Sequence, residues 1–215
     1  MRPWLWIFAL MSAAAARAEI IDQIAVTVDR IVITASDVAS HLRVAALLNG
    51  EPLDLSAKAR REAVNRLVEQ ALVRREMEIS RYPAPSIEEA DPMLAEFRSG
   101  PYETEEGFQE ALARYGVTAQ ELRENLLLQL TVLRFIEYRF RPGIAIAEAE
   151  LERYYRDEFL PGWRRQNREA PPPLDDVTEE IEEVLISRQV GQALDEWLRQ
   201  AAEQARIDFR PEVFQ

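Results

Sequence analysis

The sequence predicts a mainly α-helical chain with a short N-terminal β-hairpin and a C-terminal helix and short strand that return to it. Three observations carry this. The stretch "IDQIAVTVDRIVITASDV" alternates β-branched and smaller residues with period two. The long middle of the chain is punctuated by helix caps, a Ser or Thr followed three residues later by an acid. The end, "RIDFRPEVF", places Ile207 and Phe209 on one side of an edge strand able to pair with the hairpin and tie the chain ends together.

In order, Ile24, Val26 and Val28 form one face of the first strand, and Ile31 and Ile33 belong to the second. Asp29-Arg30 between them is a weaker turn signal than Asn-Gly, because arginine does not favour positive φ. Thr34 or Ser36 caps the next helix, which stops at Asn49-Gly50. A long helix follows Ser56, with Val64, Leu67, Val68, Ala71 and Leu72 on one face, and ends before Pro83. Ser86 to Glu89 opens a short helix broken at Gly100-Pro101, and "TEEGFQEALARYG" makes another that stops at Gly116.

Thr118 to Glu121 caps the most apolar segment after the N-terminal run, "ELRENLLLQLTVLRFIEYRF", with Leu122, Leu126, Leu130 and Leu133 on one face. Leu127, Leu128, Val132, Phe135 and Ile136 are apolar on other faces, so this helix is either central and buried or lines a groove. Pro142-Gly143 ends it, and "EAELERYYRDEF" is a further short helix. "LPGWRRQNREAPPPLDD" then breaks the pattern, with Pro171, Pro172 and Pro173 forbidding helix and stiffening the connection. Asp176 to Glu179 is an Asp-led cap for the last helix, whose apolar stripe runs from Ile181 to Ala205.

Composition narrows function. The 215 residues are 47% hydrophobic and 30% charged, enough for one packed domain. A net charge of -12 argues against nucleic acid or an anionic membrane surface as the main partner. The absence of cysteine excludes disulfides, thiolate nucleophiles and Cys-based metal sites. Arg2, an apolar run too short to span a bilayer with ease, and Ala16-Arg17-Ala18 read as a cleaved signal peptide over residues 1–18. The mature chain then loses Arg2 and Arg17 and carries 24 - 38 = -14. This predicts a periplasmic location without stable membrane insertion.

Chemistry is sparse. His41 is the only histidine, and its neighbour Ser40 points to a different helix face, so the two form no nucleophile–base pair. No phosphate loop and no Gly-x-Ser-x-Gly occurs, and no carboxylate pair stands out for acid–base work. No cofactor and no metal is implied.

Several segments, taken in order, resemble the SurA-type periplasmic chaperones. They are Val32-Ile33-Thr34-Ala35-Ser36-Asp37-Val38 after a hairpin, the "AVNRLVEQALVRREM" helix, "GFQEALARYGVTAQELRENLLLQLTVLRFI", and "IAIAEAELERYYRDEF" with Leu151 and Tyr154-Tyr155. Glu196-Trp197-Leu198 matches the family's returning helix. Ala147 stands where the family caps its Tyr-Tyr helix, which weakens that start. The larger departure follows Phe159. The family inserts one or two parvulin-type prolyl isomerase domains there, and the short stretch before Asp176 leaves no room for one.

The resemblance implies one chaperone domain over residues 19–215, built from 19–159 and 176–215 joined by a Pro-rich loop at 160–175. It implies ATP-independent binding of unfolded exported polypeptides, outer-membrane protein precursors foremost, and no enzymatic turnover. Leu127, Leu128, Phe135, Tyr138, Tyr154, Tyr155 and Trp163 are the candidate groove residues, with ordinary core packing as the alternative for each. Prolyl isomerisation is disfavoured because its module is missing. A dedicated assembly subunit with one fixed partner stays open, as does a homodimer formed by exchange of ends.

Overall fold

The computed structural model describes residues 22–102, 104–166 and 169–211. The leader expected at residues 1–18 lies outside them.

Strands β1 (Ile24–Val28), β2 (Ile31–Thr34) and β3 (Ile207–Phe209) form one antiparallel sheet in the order β2-β1-β3. Among the described residues the first strand is thus the central one, and the C-terminal strand pairs with the hairpin as the sequence predicts. The expected alternation fails at one place. The register slips between Ile24 and Val26, so Ala25 and Val26 are both buried while Ile24 faces out. This β-bulge changes which residues of β1 reach the core.

Asp29 makes the turn. It takes the positive φ of 51° that Arg30 would resist. Its amide donates to the Arg206 carbonyl at 2.8 Å, and its carboxylate accepts from the Arg206 amide at 2.9 Å. The same carboxylate pairs with Arg75 at 3.0 Å. One residue thus joins the hairpin, the C-terminal strand and the long helix beneath them.

Helix α1 (Ala35–Asn49) is capped by Thr34. The Asp37 amide donates to Thr34 Oγ1, and the Asp37 carboxylate accepts from the Thr34 amide at 2.8 Å. It ends on Gly50 at φ 65°. Helix α2 (Ala57–Ser80) starts at Ser56 and buries Val64, Val68, Ala71, Leu72, Val73 and Met77. A 3₁₀ turn (Ile87–Ala90) precedes α3 (Asp91–Ser99). Pro92 has no amide to continue a single α-helix across that junction. Helix α4 (Glu105–Tyr115) ends at Gly116, φ 63°.

Helix α5 (Ala119–Arg139) is capped by Thr118 and Glu121 and buries Leu122, Leu126, Thr131 and Phe135. Its buried line drifts around the helix, so Leu133, expected on the inner face, is 52% exposed. Helix α6 (Glu148–Tyr154) begins with only a long hydrogen bond, 3.4 Å, from the Ala147 amide to Glu150.

The expected loop at 160–175 is shorter than the sequence suggests. The chain runs from α6 through a π-helical turn (Tyr155–Phe159) into α7 (Leu160–Gln166). Pro161 cannot donate to the carbonyl one turn back and crowds it, and the wider π turn immediately before relieves both problems. Non-helical backbone is described only at 169–173. The last helix, α8 (Leu174–Gln204), also starts earlier than the Asp176 cap predicts. Pro173 is its N-cap, and Asp175 and Asp176 lie in the first turn, where their charge meets the positive end of the helix dipole.

Helix α8 serves two cores. Its first half places Val177, Ile181 and Leu185 against Leu151, Tyr154, Tyr155 and Phe159. Its second half packs Trp197, Leu198 and Ala201 against the sheet and α2. Trp197 also meets Phe135 at 4.7 Å between ring centroids.

Replacing Asp29 by alanine removes the left-handed preference, the hydrogen bond from the Arg206 amide to the carboxylate and an ion pair that is about one-third exposed. The expected loss is about 2 kcal/mol, the range for charge-assisted hydrogen bonds. It is read from urea denaturation, with faster amide exchange confined to β1 and β3. Unchanged exchange in β3 would show that Asp29 does not hold the chain ends together.

Candidate functional site

A trough runs between α2 and α5 and has two compartments. The first, about 330 Å³, is bounded by β2 (Ile31 to Ile33) and by α1 through Ser40 and His41. The second, about 600 Å³, is bounded by Met77, Tyr82, Pro85, Leu127 and Thr131. Arg74, Glu124 and Leu128 line both, so the two adjoin. One end is polar and flanked by a sheet edge, and the other is mainly apolar.

The polar end is built by caps. Glu121, at the third position of α5, accepts from the Thr118 amide at 2.8 Å and from its hydroxyl. Its other oxygen accepts from Ser40 Oγ at 3.0 Å and faces Arg43. The Thr118 amide bond, with the Thr118 and Ser40 hydroxyls and the Arg43 charge behind it, lowers the Glu121 pKa below the usual carboxylate value. Beside it, both ring nitrogens of His41 and Oε1 of Gln70 are buried and have no hydrogen-bond partner among the described residues. A buried polar atom left unpaired costs on the order of 1–3 kcal/mol, so such atoms are few in native folds. Burial, with the charge of Arg66 second, pushes the His41 pKa below its ordinary value.

The trough can hold a ligand by contact and hydrogen bonding. The Ser40 hydroxyl is engaged by Glu121, not by His41. Among the described residues, no three His, Asp or Glu come together to hold a metal ion. No described helix is long and apolar enough to cross a membrane.

The seven candidate residues do not line one groove. Leu127 and Leu128 line the trough. Tyr138 stands at its rim, 52% exposed and stacked on Tyr82 at 5.9 Å. Phe135 is 0% exposed, enclosed by Tyr82, Phe140 and Trp197, and is core rather than lining. Tyr154, Tyr155 and Trp163 belong to a separate surface on α6, the π turn and α7. There Arg188 sits 5.3 Å over the Tyr154 ring, and Tyr155, Phe159 and Trp163 stack in sequence.

Sequence reasoning missed Gln70, Arg74, Tyr82, Glu124 and Asn125 as trough residues. A usable signal existed for two of them. Gln70 interrupts the apolar face of α2, and Asn125 interrupts the leucine-rich run of α5. The structure places His41, the only histidine, in the trough wall. No family model matches the chain, and no curated protein matches it.

A depressed histidine pKa has a defined sign. Below about pH 6.5, the ordinary histidine value, the unfolded chain takes up a proton that folded His41 resists. Stability from this group is therefore full above pH 6.5 and is lost as pH falls through the lower folded pKa. The variant His41→Leu should flatten the stability profile between pH 7 and pH 5. Parallel profiles for variant and wild type would mean that His41 protonates freely in the fold.

Proposed function

We propose that this protein is an ATP-independent periplasmic chaperone that binds unfolded exported polypeptides, outer-membrane protein precursors foremost, without turnover. The observation that carries the reading is the pair of adjoining cavities that forms the trough between α2 and α5. It combines an apolar floor at Leu127, Leu128 and Met77 with unpaired polar atoms at His41 and Gln70. An unfolded segment offers both chemistries at once, apolar side chains for the floor and backbone amides for the polar end. The ordered resemblance of residues 20–160 to SurA-type chaperones supports the same reading. A net charge of -12 favours the solubility of a complex that carries exposed apolar client surface.

Leu128 is the decisive position, because it lines both compartments while packing only partly into the core. Wild-type protein at several-fold excess should suppress light scattering from an unfolded outer-membrane β-barrel protein diluted out of urea. Leu128→Glu, which sets a charge on the apolar floor, should lose most of that suppression while keeping its helical circular dichroism. Absence of suppression by the wild type would refute the chaperone reading. Full suppression by Leu128→Glu would move the binding surface elsewhere.

A further inference from the structure

The second aromatic surface already holds a ligand, and that ligand is the chain itself. Tyr155, Phe159 and Trp163 follow each other at four-residue intervals. Their rings stack at 5.6 Å and 18°, then at 5.9 Å and 25°. Residues 169–173 run against this stripe. Tyr155 Oη donates to the Pro172 carbonyl at 2.7 Å, and Trp163 Nε1 donates to the Glu169 carbonyl at 3.3 Å.

The spacing of these two acceptors is informative. Residues 169 and 172 lie three apart, the repeat of a polyproline II helix. Pro173, at φ -63° and ψ 158°, has polyproline II backbone. Polyproline II has no internal hydrogen bonds, so its carbonyls are free to accept from a neighbouring surface. Stacked aromatic rings with a hydroxyl and an indole N–H as donors are the chemistry that recognises such segments. Pro171 and Pro172 are partly buried and Pro173 is exposed, so the occupying segment is seated at the surface rather than enclosed.

We infer that the Tyr155–Phe159–Trp163 stripe is a binding site for proline-rich polypeptide segments, closed in the resting chain by its own residues 169–173. A proline-rich segment of another polypeptide competes for the same two donors. The site is separate from the α2–α5 trough and does not depend on what the trough binds.

The test uses the full chain and a capped hexapeptide copying Glu169 to Leu174, followed by the indole N–H resonance of Trp163, which Trp163→Phe identifies. In the triple variant Pro171→Ser, Pro172→Ser, Pro173→Ser, the peptide should give a saturable shift. Half-saturation should fall at a concentration about ten-fold or more below that of the wild type, whose tethered segment competes at an effective concentration on the order of millimolar. Adding Tyr155→Phe should weaken binding about five-fold, the worth of one hydrogen bond. A hexapeptide with serines for prolines should not saturate. No saturable shift in the folded triple variant, or equal binding of the serine peptide, overturns the inference. If the triple variant does not fold, the wild type decides. Ten-fold more peptide must shift Trp163, and a static resonance overturns the inference.

Discussion

The fold depends on one closure: β1, the first described strand, lies between β2 and a strand from the other end of the chain. Asp29 makes it possible. Its residue type tolerates the left-handed turn, its backbone pairs with Arg206, and its carboxylate reaches both Arg206 and Arg75. Residues 177 positions apart are joined at that point. Long-range pairing of this kind is entropically expensive, and the apolar sheet face, buried on α2 and the second half of α8, offsets the cost.

From that closure the rest follows. With β3 fixed on the sheet, α8 must leave in a set direction, and its length carries it past the first core to the α6 unit. The same placement puts Trp197 on Phe135, which locks α5 against α2 at one end. At the other end Glu121 ties α5 to α1 through Ser40 and Arg43. With α5 packed on α2 at one end and tied to α1 at the other, the trough lies between α2 and α5, bordered by β2 and α1.

Local chemistry was legible in the sequence, and longer-range geometry was not. Thr34, Ser56, Thr118, Gly50 and Gly116 each act within a few residues, and each does what its type predicts. The strand ending at Phe209 was legible too, because alternation needs no knowledge of the partner. Three features were hidden for physical reasons. The bulge at Ala25 depends on how β2 registers against β1. The π turn answers Pro161 only by letting the helix continue, whereas the composition reads as a break. Phe135 reads like Leu128, since periodicity marks both as apolar. Only the positions of Tyr82 and Trp197 show that one is enclosed and the other lines a cleft.

The sequence "LPGWRRQNREAPPPLDD" takes a different meaning within this architecture. Its first part is helix and carries Trp163, while the Glu169 and Pro172 carbonyls accept hydrogen bonds from the aromatic stripe they follow. The connection is therefore fastened at both of its described ends. We propose that the trough between α2 and α5 receives unfolded polypeptide. Hydrogen exchange across the whole chain, with and without an unfolded outer-membrane β-barrel protein, tests it most directly. The account predicts slowed exchange in the segments 31–34, 67–85 and 121–131, which border the trough, with α8 unchanged. Protection confined to α8, or spread evenly over the surface, would contradict it.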